Sequence, residues 1–254
     1  MKRGILYSVI FVLVFSVSLL AHLPISFVLQ HMPSVRGLKI EGAQGTVWQG
    51  RADQVSWQKR NYGAAKWDFQ LSQLFQAKAE FAVRFGRGSD IGLHGKGMVG
   101  YGLSGPYAES VVASMPAEQA LALSPMPIPV PVTLNGQLEL TIKQMTYASP
   151  WCQAGEGSLA WSSSSVESPI GSLDLGPVIA DFTCADSKIS AKGGQQSSNV
   201  SSEFTGELTP NRRYSSQAWF KPGSEFPAAM KSQLKWLGNP DGQGKYQFNY
   251  QGRF

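Results

Sequence analysis

The rhythm of hydrophobic and polar positions changes once along this chain. From Ile5 to Ala21 (ILYSVIFVLVFSVSLLA) it is apolar apart from scattered serines and one tyrosine, and Gly4 to Gln30 holds no Lys, Arg, Asp or Glu. Further on, alternation takes over. Leu134, Gly136, Leu138, Leu140 and Ile142 fall on one face, and Thr133, Asn135, Gln137, Glu139, Thr141 and Lys143 on the other. A period of two marks a strand with one buried face. Ala79, Phe81, Val83 and Phe85 alternate likewise with Lys78, Glu80, Ala82 and Arg84. Shorter strand signals occupy 38–48, 52–58, 65–71, 90–103, 157–162, 178–184, 187–192, 200–208, 214–221 and 245–251. Each is bounded by Gly, Ser, Asn or Pro, as in antiparallel meanders. Tyr107 to Leu123 predicts one helix or two, with Pro116 starting the second. Pro227 to Leu237 predicts another, stopped by Gly238.

The fold class expected is therefore mainly β: an N-terminal transmembrane helix, then an antiparallel sheet-rich domain with one to three short helices. At 1.5 Å per residue, Ile5 to Ala21 covers about 25 Å, and Leu23 and Pro24 extend it, enough for a tilted span over 5–23. Lys2 and Arg3 precede the run, and cationic flanks stay cytoplasmic, so residues 1–4 are expected inside and the rest across the membrane. A cleaved signal peptide is the competing reading. The run exceeds the usual signal core, and Ser18-Leu19-Leu20-Ala21-His22 lacks small residues at both cleavage positions, which favours an uncleaved anchor. Residues 24–36 form a junction, with Pro24 and Pro33 bracketing a short apolar segment. Residues 37–254 form the exported domain. Ser124 to Pro131 (SPMPIPVP) marks a seam, between two domains or between two halves of one sheet.

Composition narrows the chemistry. Charged residues make up 15% of the chain, while Gly numbers 27 among 254 residues, which suits an extracytoplasmic β-protein. Of 22 Lys and Arg, Lys2 and Arg3 belong to the anchor, leaving 20 against 17 acidic residues. No basic cluster supports nucleic-acid binding. The two cysteines, Cys152 and Cys184, would be oxidised in an exported domain, and the bridge is worth roughly 3–4 kcal/mol in the chain-entropy model. Two buried free thiols are the alternative.

Catalytic readings have little footing. Gly95-Lys96-Gly97-Met98-Val99-Gly100 is a literal G-x-G-x-x-G, but Tyr101-Gly102-Leu103-Ser104-Gly105-Pro106 is a poor helix start, so a Gly-rich strand is expected. His94 alone lies inside the domain, since His22 and His31 sit at the end of the span and just beyond it. No G-x-S-x-G elbow accompanies it. No catalytic, cofactor or metal residue is nominated. Trp48, Trp57, Trp67, Trp151, Trp161, Trp219 and Trp236 are expected to pack on sheet faces, or alternatively to line an apolar groove for peptide or lipid.

Three stretches carry a family resemblance. The first is Leu23-Pro24, Leu29 and Met32-Pro33 leading into Gly42-Ala43-Gln44-Gly45-Thr46-Val47-Trp48-Gln49-Gly50-Arg51-Ala52. The second is Ser149-Pro150-Trp151-Cys152 with Gly157-Ser158-Leu159-Ala160-Trp161, answered by Cys184. The third runs from Leu237-Gly238-Asn239-Pro240-Asp241-Gly242 through Gly252-Arg253-Phe254. Together they resemble the type II secretion system protein N family of Gram-negative bacteria. The resemblance implies a single-pass inner-membrane protein with a periplasmic domain. Its partners would be other inner-membrane platform proteins of the secretion system, with the outer-membrane channel a further candidate. Neither catalysis nor a cofactor is implied, and no binding residue is carried over. Two other functions compete: an anchored β-groove handling lipid or lipopolysaccharide, and an anchored hydrolase built on His94.

Overall fold

The computed structural model describes residues 2–31, 33, 35–123 and 131–253, with side chains from Tyr7 onward except Val9. It opens on α1 (Lys2–Ala21) and α2 (Ile25–His31). Among the described residues, no helix is long and apolar enough to cross a membrane. Seventeen strands follow among the described residues: β1 (Leu38–Glu41), β2 (Gln44–Gly45), β3 (Gln49–Ala52), β4 (Gln54–Trp57), β5 (Arg60–Asn61), β6 (Ala64–Phe69), β7 (Ala79–Arg87), β8 (His94–Gly102), β9 (Gly105–Pro116), β10 (Thr133–Thr146), β11 (Ala154–Ser168), β12 (Gly171–Asp174), β13 (Val178–Ala185), β14 (Lys188–Gln196), β15 (Val200–Leu208), β16 (Arg213–Pro222) and β17 (Tyr246–Arg253). Helices α3 (Ala117–Leu123) and α4 (Ala228–Lys231) and 3-10 turns at Leu71–Gln76 and Leu234–Leu237 complete the set.

All strand pairs are antiparallel. β1, β4 and β5 form a small sheet, and the others build one 14-stranded sheet in the order β17-β16-β15-β14-β13-β11-β10-β9-β8-β7-β6-β3-β2, with β12 added beside β11. Neighbours in this sheet are consecutive in sequence apart from the small-sheet strands and β12; short turns join several of them, as the frequent Gly, Ser and Asn clusters allow, whereas α3 lies in the β9–β10 connection and α4 in the β16–β17 connection. At about 4.8 Å between strands, the sheet runs for roughly 60 Å.

Two helix expectations change. Tyr107 to Pro116 is strand, not helix, and only Ala117–Leu123 is helical. The helix-friendly Ala, Glu and Ser of this stretch are overruled by ladders to β8 on one side and β10 on the other. The segment 227–237 breaks into α4 and a 3-10 turn, and Gly238 ends it at φ +88°. The stretches 38–48 and 52–58 are likewise divided between the two sheets, because Gly42 (φ +64°) turns the chain after β1. The seam expected at 124–131 lies, except for Pro131, outside the described residues.

The junction is held by the sheet's first turn. Trp48 Nε1 donates to the Leu20 carbonyl at 2.7 Å, Val47 N–H donates to Leu23 O at 3.1 Å, and Pro24 bridges Thr46. The Trp48 ring meets Phe69 edge-on at 5.0 Å, and Phe69 in turn meets Phe81. This stack fixes the end of α1 to one margin of the large sheet. Cys152, in the β10–β11 connection, is joined to Cys184 on β13 by a disulfide, and both are buried.

Candidate interaction surfaces

Directly opposed residues of an antiparallel ladder share a face. Following the register across the large sheet therefore sorts its residues into two sets. One face carries Trp67, Val83, Gly97, Val111, Ile142, Gly157, Phe182 and Ala191 in a single row, flanked by rows such as Phe69-Phe81-Val99-Ala108-Met145. This face is apolar over most of the sheet, with Gln195, Ser202 and Ser216 towards β14–β16. Its residues are mostly half-buried; among the described residues of the whole molecule, the fully buried apolar set is Ala52, Phe69, Ile91, Ala117, Cys152, Cys184, Val200 and Phe226.

A repeated device shapes that face. Gly50 faces Trp67, Gly95 faces Phe85, Gly157 faces Phe182, Gly193 faces Phe204 and Gly252 faces Tyr214, each as an opposed cross-strand pair. In every case a Cβ on the glycine would meet the ring within 3.0 Å. The aromatic rings lie down over the glycines instead of standing up from the sheet, which covers bare backbone and flattens the apolar surface.

The other face is polar. One of its rows runs Arg51-Lys66-Arg84-Lys96 over β3, β6, β7 and β8. All four are exposed, and among the described residues the ion pairs are Lys39–Glu41, Lys78–Glu109 and Lys188–Glu207, none of them in this row. Arg51 donates to Gln44 Oε1 at 2.9 Å. The same row continues as Val112, Thr141, Ser158 and then the opposed Asp181 and Lys192. Sequence reasoning missed this line of cations, because its members are far apart in the chain and only the register collects them. Nearer the margin, buried Glu80 accepts a hydrogen bond from Tyr107 Oη at 2.9 Å. Burial and that carboxylate push the Tyr107 phenol well above its ordinary pKa.

His94 does meet a serine. Its Nε2 lies 2.9 Å from Ser114 Oγ, and its Nδ1 lies 3.1 Å from the Gly92 carbonyl. A carbonyl only accepts, so Nδ1 carries the proton and Nε2 accepts from Ser114. The position where a triad places a carboxylate is taken by that carbonyl. The glycines of the G-x-G-x-x-G sit within β8, which turns into another strand and not into a phosphate-binding helix. Among the described residues, no group of three or more His, Cys, Asp or Glu is arranged to hold a metal ion.

A long amphipathic antiparallel sheet, tied at one margin to an N-terminal helix, defines the class: a β-protein that offers extended surfaces. Comparison then places it. The family profile for "Type II secretion system (T2SS), protein N" matches residues 36–249. Over the full length of both chains, the sequence is 50% identical to type II secretion system protein N of Vibrio cholerae serotype O1 and 35% identical to that of Aeromonas hydrophila. Similarity extends to the Pectobacterium carotovorum protein of the same name, at 27% identity over 100% of this chain and 98% of the relative. No solved structure matches. The chain belongs to the type II secretion system protein N family.

Proposed function

We propose that this protein is a non-enzymatic, inner-membrane-anchored component of the secretion machine, assisting the export of folded proteins from the periplasm across the outer membrane. The observation that carries this reading is full-length similarity to proteins named for that system. In it, α1 lies in the inner membrane with Lys2 and Arg3 cytoplasmic, and the sheet is periplasmic. Support for the anchor comes from the uncharged Gly4 to Gln30 stretch and from the exposure of apolar side chains along α1, including Phe11, Leu13, Phe15 and Leu19. The cystine suits an oxidising compartment. Partners in this reading are inner-membrane platform proteins of the system, with the outer-membrane channel as a further candidate.

A second reading, lipid or lipopolysaccharide handling, is favoured by one observation: the flattened apolar face crossing most of the sheet. One experiment separates the two. Photo-crosslinking residues are placed in intact cells at Leu140 and Phe182 on the apolar face and at Thr141 and Asp181 on the polar face, and adducts are identified by mass spectrometry. Adducts with secretion proteins are expected. Adducts confined to lipid at Leu140 and Phe182 would put the second reading first, and the absence of secretion-protein adducts at all positions would remove the first.

A further inference from the structure

Apolar exposure is not spread evenly around the rim of the large sheet. Three neighbouring connections on the margin that holds the end of α1 are the Leu71–Gln76 turn between β6 and β7, the β8–β9 turn, and the β10–β11 connection. In the first, Leu71 is 70% exposed and Phe75 95%; in the second, Leu103 is 92% exposed. Tyr101 and Tyr147 stand exposed beside them. Residues 70–77 (QLSQLFQA) and 102–105 (GLSG) carry no charge. Farther along the same margin the turns are polar, with Asp186-Ser187 after β13 and Asn211-Arg212 after β15. On the opposite margin, the β7–β8 connection tucks Ile91 in to 8% exposure, and the apolar residues exposed there, Ile170, Trp236 and Leu237, lie farther along the sheet towards β12 and β17, away from α1.

Leucine and phenylalanine left this open in water are costly to solvate, and their clustering beside one helix end identifies their surroundings. Trp48 ties the two together: it bonds Leu20 of α1, and its carbonyl accepts from Phe69 N–H, two residues before Leu71. We propose that this rim, centred on Leu71, Phe75 and Leu103, dips into the bilayer surface from which α1 emerges. The occupant is the interfacial zone of the lipid leaflet. Leu and Phe enter the acyl boundary and Tyr101 and Tyr147 sit at headgroup level, while Lys78, just behind the turn, stays paired with Glu109 on the sheet. Two attachment points, helix and rim, hold the sheet at a fixed angle to the membrane. This rests on the anchored reading above.

The test uses the full chain reconstituted in phospholipid nanodiscs, spin-labelled one position at a time at Phe75→Cys, Leu103→Cys, Ser89→Cys on the opposite margin and Val14→Cys in α1. Accessibility to oxygen, which concentrates in lipid, is compared with accessibility to a water-soluble nickel chelate. Labels at 75 and 103 are expected to favour oxygen severalfold, and the label at 89 to favour nickel. Equal nickel access at 75, 103 and 89 overturns the rim. The label at 14 reports the anchor separately. Lipid exposure at 14 without it at 75 and 103 refutes only the rim, whereas lipid exposure at 75 and 103 without it at 14 refutes only the anchor. Positions 14, 75 and 103 are exposed and position 89 is half-buried, and circular dichroism melting confirms that each variant folds.

Discussion

At Gly157 the absence of a side chain is a packing requirement. A Cβ there would collide with Thr141 O and come within 2.5 Å of the Phe182 ring. Gly157→Ala should destabilise by roughly 1–3 kcal/mol, since the ladder and the ring must both shift. Gly206, on the same face, meets only Ser215 O at 3.8 Å, so Gly206→Ala should be neutral or slightly stabilising. Urea unfolding of both variants measures the contrast, and equal losses would refute the ring-over-glycine account. Asp241 organises the last turn, accepting from Lys245 N–H and Gln243 N–H at 2.9 Å and from Gln247 Nε2 at 3.0 Å. The Lys245 amide first, and then the Gln247 side chain, hold its carboxyl below the usual value of 3.8. A depressed pKa stabilises above the unfolded value and is lost as pH falls through the folded one. Asp241→Asn should therefore lower the melting midpoint at neutral pH, with the gap closing as pH drops below 3.8.

Elements in this protein depend on their neighbours. β9 has a helix-compatible sequence and is a strand because it lies between β8 and β10. β10 keeps Ile142 and Met145 on one face, although they are three residues apart, because the ladder skips Lys143: Ile142 faces Gly157 and Met145 faces Gly155. Period-two counting alone sends Met145 to the polar side. The Cys152–Cys184 disulfide reinforces this region by tying the β10–β11 connection to the end of β13, across a separation of 32 residues. Reducing it should cost about 2–4 kcal/mol of stability. Unfolding with and without reductant tests this; coincident midpoints would mean that the hydrogen bonds from Ser187 and Asp186 to the same connection suffice.

Across the whole molecule, the Arg51-Lys66-Arg84-Lys96 row sets like charges opposite one another on four adjacent strands. Such pairs destabilise a sheet, so Arg84→Gln should raise stability by less than about 1 kcal/mol at low salt. Added salt should erase the gain, since exposed charges are screened within about a Debye length. A melting midpoint for Arg84→Gln that falls, or a gain that survives high salt, would mean that Arg84 is stabilised by something other than solvent. The sequence by itself determined the class: an uncharged apolar run behind Lys2 and Arg3, period-two strands, Gly-rich turns, and the family motifs around Trp48, Cys152 and Asp241. Those are local signals, written in neighbouring residues. Only the tertiary structure decided which residues share a face, which glycines receive an aromatic ring, and that Leu71, Phe75 and Leu103 gather beside the end of α1. These depend on register and on bulges, and a shift of one residue in either would exchange the two faces of the sheet.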